Sequence, residues 1–428
     1  MSDVERVEHA VQLRGSIRVP GDKSTSHRAL MLSALALGQS TITGLSKGED
    51  VRSTSVILQQ LGAVQELEDD LVLFSGPDEG LHPALAALDC GNSGTTMRLM
   101  CGLVSTITGT HHLIGDESLS RRPMDRVAAP LPLMGASLEG HGPSVTPPLT
   151  ITSPRQLRGI NYHVPMVSAQ VKSAILLAGL AATGDTIVTE DVRTRATTED
   201  MLRVGGVTIV SQDVGEGRRV TLSPGRPRRH DWHVPGDPSQ AAFFAVLGAI
   251  HSNATLEVLT VEASPERVGF VGVLQRMGAH VALVERGAFH VLRSKSSELS
   301  STEVHAREIP SVDEVPILTV AACAASGVSV FRDMAELRIK ESDRFEGSML
   351  IARSLGANVW SEGDDFFVEG LGSAQKFLDF TINAGLDHRI VMSSAVAGCA
   401  GNGCTISGAA TVSSSYPHFF RDLALLSE

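Results

Sequence analysis

Pro20-Gly21-Asp22-Lys23-Ser24 returns 215 positions later as Pro235-Gly236-Asp237-Pro238-Ser239. Both copies open an apolar stretch rich in Ala, with Leu in the first and Phe prominent in the second. The first copy follows a short alternating run, Val11, Leu13, Ile17 and Val19, which reads as a strand. It precedes Ala29 to Leu37, apolar enough for a buried helix that Gly38 stops. The offset is about half of the 428 residues, so the echo divides the chain into two similar halves.

A shorter period runs through both halves. An apolar residue followed by Gly-Ala or Gly-Gly stands at Leu61-Gly62-Ala63, Met134-Gly135-Ala136, Val204-Gly205-Gly206, Met277-Gly278-Ala279 and Leu355-Gly356-Ala357. Successive first glycines lie 73, 70, 73 and 78 positions apart. Helix-like segments precede them (Ser53 to Leu61, Val127 to Met134, Thr198 to Val204, Pro265 to Met277, Phe345 to Leu355), and strand-like ones follow. A glycine just past a helix end takes the left-handed conformation that closes the helix, which gives it a mechanical reason to recur. The period predicts six units of about 71 residues, three to a half, the sixth ending near Leu423 to Glu428. The expected class is mixed α and β (α/β or α+β). One lobe spans 1–20 plus 235–428 and the other 21–234, with a ligand cleft expected between them. The Pro- and Gly-rich stretches Gly140 to Pro154 and Pro224 to His230 read as surface loops.

Composition narrows the function. Apolar content of 42% and charged content of 20% describe a soluble globular chain. No apolar run is long enough for a bilayer and no secretion-like signal opens the sequence, so no membrane partner is expected. The five cysteines are scattered without a C-x-x-C pair, which points to reduced, buried thiols in the cytoplasm. A net charge of −12 disfavours a nucleic-acid partner and makes any local basic cluster informative.

Such clusters stand at helix starts. Lys23, Ser24 and Arg28 crowd a strand-to-helix joint, where the first helical amides also point outward and suit an anion. Asn92, Ser93, Gly94, Thr95 and Thr96 precede an apolar helix from Met97, and their small residues let a ligand approach the backbone. Arg121-Arg122-Pro123 presents guanidiniums matched to carboxylate or phosphate. Ser168, Ala169 and Gln170 begin another apolar helix, with Ser168 the expected cap. Asp313 and Glu314 precede the apolar run Ile317 to Ala325, where a carboxylate can be a dipole partner or a general base. Leu337 to Arg344 is the densest charged run; read as a helix, it puts Lys340 and Arg344 on one face with Glu341 beside them. Asp387-His388-Arg389 repeats the cation at a helix start, or simply caps the helix. Each site alone has a plainer reading as a capped helix or a solvated charge. Together they are what two polyanionic small molecules would require, and no metal-ligand cluster accompanies them.

The motifs P-G-D-K-S-x-S-H-R, G-N-S-G-T-x-x-R, R-R-P-M, S-A-Q-V-K-S-A, D-E-x-P, E-L-R-x-K-E-S-D-R and D-H-R, in order from Leu13 to Phe420, resemble those of the enolpyruvylshikimate-phosphate synthase family, second bacterial subclass. The resemblance implies two lobes of three βαβαββ units with buried helices. It implies transfer of the enolpyruvyl group of phosphoenolpyruvate to the 5-hydroxyl of shikimate 3-phosphate, with no metal or cofactor and a monomeric chain. By the same resemblance Lys23, Ser24, Arg28, Ser168, Ala169, Gln170, Arg195, Asp313 and Lys340 would bind shikimate 3-phosphate. Lys23, Asn92, Gly94, Arg122, Gln170, Arg344 and Arg389 would bind phosphoenolpyruvate. Asp313 would act as base and Glu341 as acid, with Lys23 between the substrates. Four positions depart from the motifs: Ala196-Thr197 for Asp-His after Arg195, Ser413 for a Lys, and Glu336 for an Asn. The related transferase acting on UDP-N-acetylglucosamine, which carries a loop cysteine absent from Gly115 to Arg121, is the nearest alternative. A non-catalytic anion-binding protein is the alternative of another class.

Overall fold

A computed structural model describes residues 3–68, 71–287, 289–309 and 311–427. The chain divides into two compact units, Gly21–Val234 and a discontinuous one made of Met1–Pro20 and Pro235–Glu428. Each has its own continuous apolar core.

The inserted unit, Gly21–Val234, contains three four-stranded sheets, each with a fully or largely buried helix. Gly94–Val104 follows the strand Leu88–Asp89 and leads to Gly109–Ile114, parallel to it. A hairpin, Ser137–His141 and Thr146–Ser153, completes that sheet antiparallel. The same order recurs around Ala169–Gly179, with strands Asn161–Val164, Thr186–Glu190, Gly217–Leu222 and Ile209–Val214. The third copy borrows its first strand from the far end of the unit. Trp232–His233 pairs parallel with Ser40–Thr43, and the helix Lys23–Leu35 sits in that repeat. The unit is thus closed by its own last residues.

The discontinuous unit repeats the plan around Pro238–Ile250, Val315–Ala324 and His388–Ala400, whose every residue is buried. Helices apolar on all sides have nowhere else to go. The chain's start supplies two strands. Leu13–Ile17 lies parallel to Ala254–Val258, and Val4–Val7 pairs antiparallel with Cys404–Ser407 in a sheet of three strands. In several repeats the second helix is shorter and half-exposed, as at Thr197–Val204 and Gly269–Arg276.

The recurring glycines have the expected backbone: Gly62, Gly135, Gly278 and Gly356 all take positive φ. In the Gly-Gly pair it is Gly206, not Gly205, that turns left-handed. Counted on Gly206, the spacings become 73, 71, 72 and 78, more even than the sequence reading gave. Gly140 to Pro154 is not a loop; most of it is the hairpin just described, whose alternating buried side chains include Leu149 and Ile151. Among the described residues no helix is long and apolar enough to cross a membrane.

Candidate active site

The anticipated residues fall into two sets, one on each unit. In the inserted unit they gather at the starts of the three buried helices. Asp22 caps the first helix, accepting from the Thr25 amide and hydroxyl at 2.7 Å each. Lys23 is the first helical residue, and its ammonium donates to Asp50 at 2.9 Å. One turn on, Arg28 is almost wholly buried. Its Nε donates to Thr198 at 2.6 Å, Nη2 to Ser173 at 2.7 Å and Nη1 to the Ser24 carbonyl at 2.9 Å. Arg195 Nη1 donates to Ser24 Oγ at 3.0 Å, so Ser24, Arg28 and Arg195 form one donor-rich patch.

A second patch surrounds the start of Gly94–Val104. Ser93 caps this helix through the Thr96 amide at 3.1 Å. Arg122 Nη2 donates to Asn92 Oδ1 at 2.5 Å and to Ser118 Oγ at 3.2 Å, and Asn92 in turn donates to Asp116 at 2.6 Å. Gly94 lies against two guanidiniums: a Cβ there would stand 2.9 Å from Arg98 Nη1 and 3.3 Å from Arg122 Nη1. Gln170 Oε1 accepts from Arg98 Nη1 at 2.9 Å while its Nε2 donates to Thr95 Oγ1 at 3.0 Å, which fixes the amide orientation. Ser168 caps the third helix by accepting from the Val171 amide at 3.4 Å, leaving Ala169 the first helical residue.

His27 underlies both patches. Its Nδ1 shares a hydrogen bond with Thr54 at 2.7 Å, and Thr54 meets Thr96 at 2.8 Å, joining two helix starts through side chains. Burial, with Lys23 and Arg28 nearby, holds its imidazole well below the ordinary 6.5 and therefore neutral.

In the discontinuous unit the set converges on Arg344, which is fully buried. Its Nε donates to Asp387 Oδ2 at 2.8 Å, Nη1 to Asp313 Oδ1 at 2.9 Å, and Nη2 stands 2.7 Å from Glu341 Oε2. Three carboxylates on one guanidinium justify its burial. Arg389 adds a second cation on Asp313, 3.6 Å from Oδ2 and donating to the Asp313 carbonyl at 3.1 Å. Burial raises the proton affinity of the Asp313 carboxyl, but Arg389, Lys340 and Arg344 outweigh it and hold the group far below the usual carboxylate range. Asp387 caps His388–Ala400 through the Arg389 amide at 2.9 Å, so the capping reading of Asp-His-Arg holds.

One expectation fails here. Leu337 to Arg344 is not a continuous helix: a 3₁₀ segment, Met334–Ile339, ends at an extended Lys340, and a new helix starts at Arg344. Lys340 and Arg344 therefore do not share a helical face. Lys340 instead donates to Glu336 at 2.9 Å. Asp343 supplies the reason for the break, since it caps the new helix at the Glu346 amide.

A profile of the family described as EPSP synthase (3-phosphoshikimate 1-carboxyvinyltransferase) matches residues 7–423. The chain belongs to the EPSP synthase family. A 3-phosphoshikimate 1-carboxyvinyltransferase of Bacillus cereus (strain B4264) is 40% identical over 425 residues, covering 97% of each chain. One from Gloeobacter violaceus is 42% identical over 434 residues, covering 99% of each. A solved EPSP synthase from Acinetobacter baumannii superposes with a TM-score of 0.85 at 38% identity, covering 99% of this chain and 97% of that one. The enolpyruvyl transferase NikO from Streptomyces tendae, at 17% identity and TM-score 0.77, shares the fold. As an EPSP synthase, the chain is the enolpyruvyl transferase of the shikimate pathway, with shikimate 3-phosphate and phosphoenolpyruvate as the family's substrates. That displaces the UDP-N-acetylglucosamine and non-catalytic alternatives. Sequence reasoning passed over Asp50, which holds Lys23, and did not foresee that Arg98 and Thr95 hold Gln170 or that Asp387 holds Arg344. Arg98 carried a signal, being one turn beyond Gly94.

Proposed function

We propose that the two sets serve one reaction with divided roles. Lys23, Ser24, Arg28, Ser168, the Ala169 amide, Gln170, Arg195, Asp313 and Lys340 bind shikimate 3-phosphate. Lys23, Asn92, Gly94, Arg122, Gln170, Arg344 and Arg389 bind phosphoenolpyruvate. Asp313 takes the proton of the attacking 5-hydroxyl, and Glu341 delivers one to the methylene carbon. The new C–O bond and the protonated methyl give a tetrahedral adduct. Loss of a methyl proton and cleavage of the bond to phosphate then restore the enol ether.

One observation carries this reading: the base and the acid are both paired to the same guanidinium, Arg344. A carboxylate so paired is a poor base. An incoming carboxylate or phosphate competes for Arg344 and Arg389, which raises the proton affinity of Asp313 as the substrate arrives. Substrate binding and activation of the base thereby become one event. Each proton transfer contributes roughly 10²–10⁴-fold, and cation clamping and alignment supply much of the remainder. The departure at Glu336 bears on this: the Lys340 ammonium is engaged by Glu336, and a shikimate phosphate must compete for it.

The five thiols are buried, and burial pushes them up, out of reach of thiolate chemistry. They support the reading of a reducing cytoplasm. The deciding experiment is phosphate release with each substrate alone and with both. Release that needs both supports the reading. Release from phosphoenolpyruvate alone overturns it.

A further inference from the structure

Lys172 is fully buried on the helix Ala169–Gly179, where a lysine is rarely found. Its ammonium lies 3.0 Å from Glu190 Oε1 and 2.7 Å from Glu199 Oε1, both carboxylates being buried as well. These glutamates are nine positions apart and stand at the two ends of the segment that carries Arg195. Glu190 closes the strand Thr186–Glu190, and Glu199 lies in the first turn of Thr197–Val204. The segment is tied again from inside. Glu190 accepts from the Thr194 amide at 3.0 Å and from its hydroxyl at 2.7 Å, and Thr198 receives Arg28 Nε at 2.6 Å and meets Ser173 at 2.7 Å.

From this convergence we infer that Lys172 is a positioning residue for shikimate 3-phosphate. By gripping both ends of the 190–199 segment, it fixes Arg195, whose Nη1 donates to Ser24 Oγ. The ammonium touches no substrate in this reading. It works through the segment it holds, whose middle carries Arg195.

The inference rests on the proposed role of Arg195, so the test separates the two. Affinity for shikimate 3-phosphate is measured by calorimetry on Arg195→Ala, Lys172→Met and Thr194→Val, with kcat and the phosphoenolpyruvate KM alongside. Thr194→Val keeps the side chain's size and removes only its hydroxyl, so it reports if Lys172→Met fails to fold. The expected result is an affinity loss of about 10- to 100-fold in Lys172→Met and a smaller loss in Thr194→Val. The phosphoenolpyruvate KM stays within about threefold. If Arg195→Ala weakens shikimate 3-phosphate while the folded Lys172→Met or Thr194→Val binds it normally, the positioning role is wrong. A rise of both constants together in the folded variants equally overturns it. If Arg195→Ala itself binds normally, the assignment of Arg195 to the site fails first.

Discussion

Arg344 and Asp387 are both wholly shielded from water, and the guanidinium reaches the carboxylate through Nε at 2.8 Å and Nη2 at 3.3 Å. The same carboxylate caps His388–Ala400 and accepts from Ser342 at 2.8 Å. Asp387 therefore sets the orientation of the cation that Asp313 and Glu341 share. Asp387→Ala should lower stability by about 1–3 kcal/mol, since Arg344 keeps Asp313 and Glu341 but loses its third carboxylate, and the helix loses its cap. Chemical denaturation checks this. A loss below about 0.5 kcal/mol would mean that the two remaining carboxylates suffice to hold Arg344.

Asp313→Ala should retain shikimate 3-phosphate binding and lose about 10²–10⁴-fold in turnover. Calorimetry and coupled phosphate release measure the two separately. Near-normal turnover would remove Asp313 from the role of base.

Gly94→Ala should weaken phosphoenolpyruvate and any inhibitor that shares its place. The added methyl would stand 3.3 Å from Arg122 Nη1 and 2.9 Å from Arg98 Nη1, so both guanidiniums must retreat. Loss of about 1.5 kcal/mol from a charge-assisted bond corresponds to roughly a tenfold rise in KM. Glyphosate should inhibit the wild-type protein competitively with phosphoenolpyruvate, and its inhibition constant should rise in the variant. Unchanged constants would place Gly94 away from the substrate.

His27 should make the protein acid-sensitive before any carboxylate titrates. Its imidazole is buried, lies near Lys23 and Arg28, and stays neutral well below 6.5. The unfolded chain takes up that proton at about pH 6.5, so stability is full above this value and falls as the pH drops towards the folded-state pKa. The slope from this group is about 1.4 kcal/mol per pH unit. His27→Gln should remove it between roughly pH 6 and pH 4.5, whatever its effect on absolute stability. Parallel profiles for the two proteins would show that His27 is protonated in the fold.

Much of the architecture could be read from glycines, because a left-handed helix end is a local demand that few other residues meet. Gly62, Gly135, Gly278 and Gly356 announced their helices in this way. The borrowed strands could not be read so: Trp232–His233 joins Ser40–Thr43 across some 190 positions, and nothing local marks the pairing. At the site, cations at helix starts were visible because they break an apolar pattern. Their carboxylate partners were not, since Asp50 and Asp387 also pass as ordinary helix-start acids. The Lys340–Arg344 misreading has the same root. Charge spacing suggested one helix, while Asp343 was the capping residue that divides it.

The strands given by the chain's first residues have a consequence for synthesis. Among the described residues, Leu13–Ile17 finds its strand partner in Ala254–Val258, and Val4–Val7 in Cys404–Ser407. At about 5–20 residues per second, the ribosome takes roughly 10–50 s to travel from Leu13–Ile17 to its mate. During that interval the inserted unit can complete itself, since Gly21 already packs on Gly44 and Val234 within it. Translation thus delivers a finished guest before its host has begun to fold, and the leading segment must wait, open to chaperones and proteases, for the longest part of the journey.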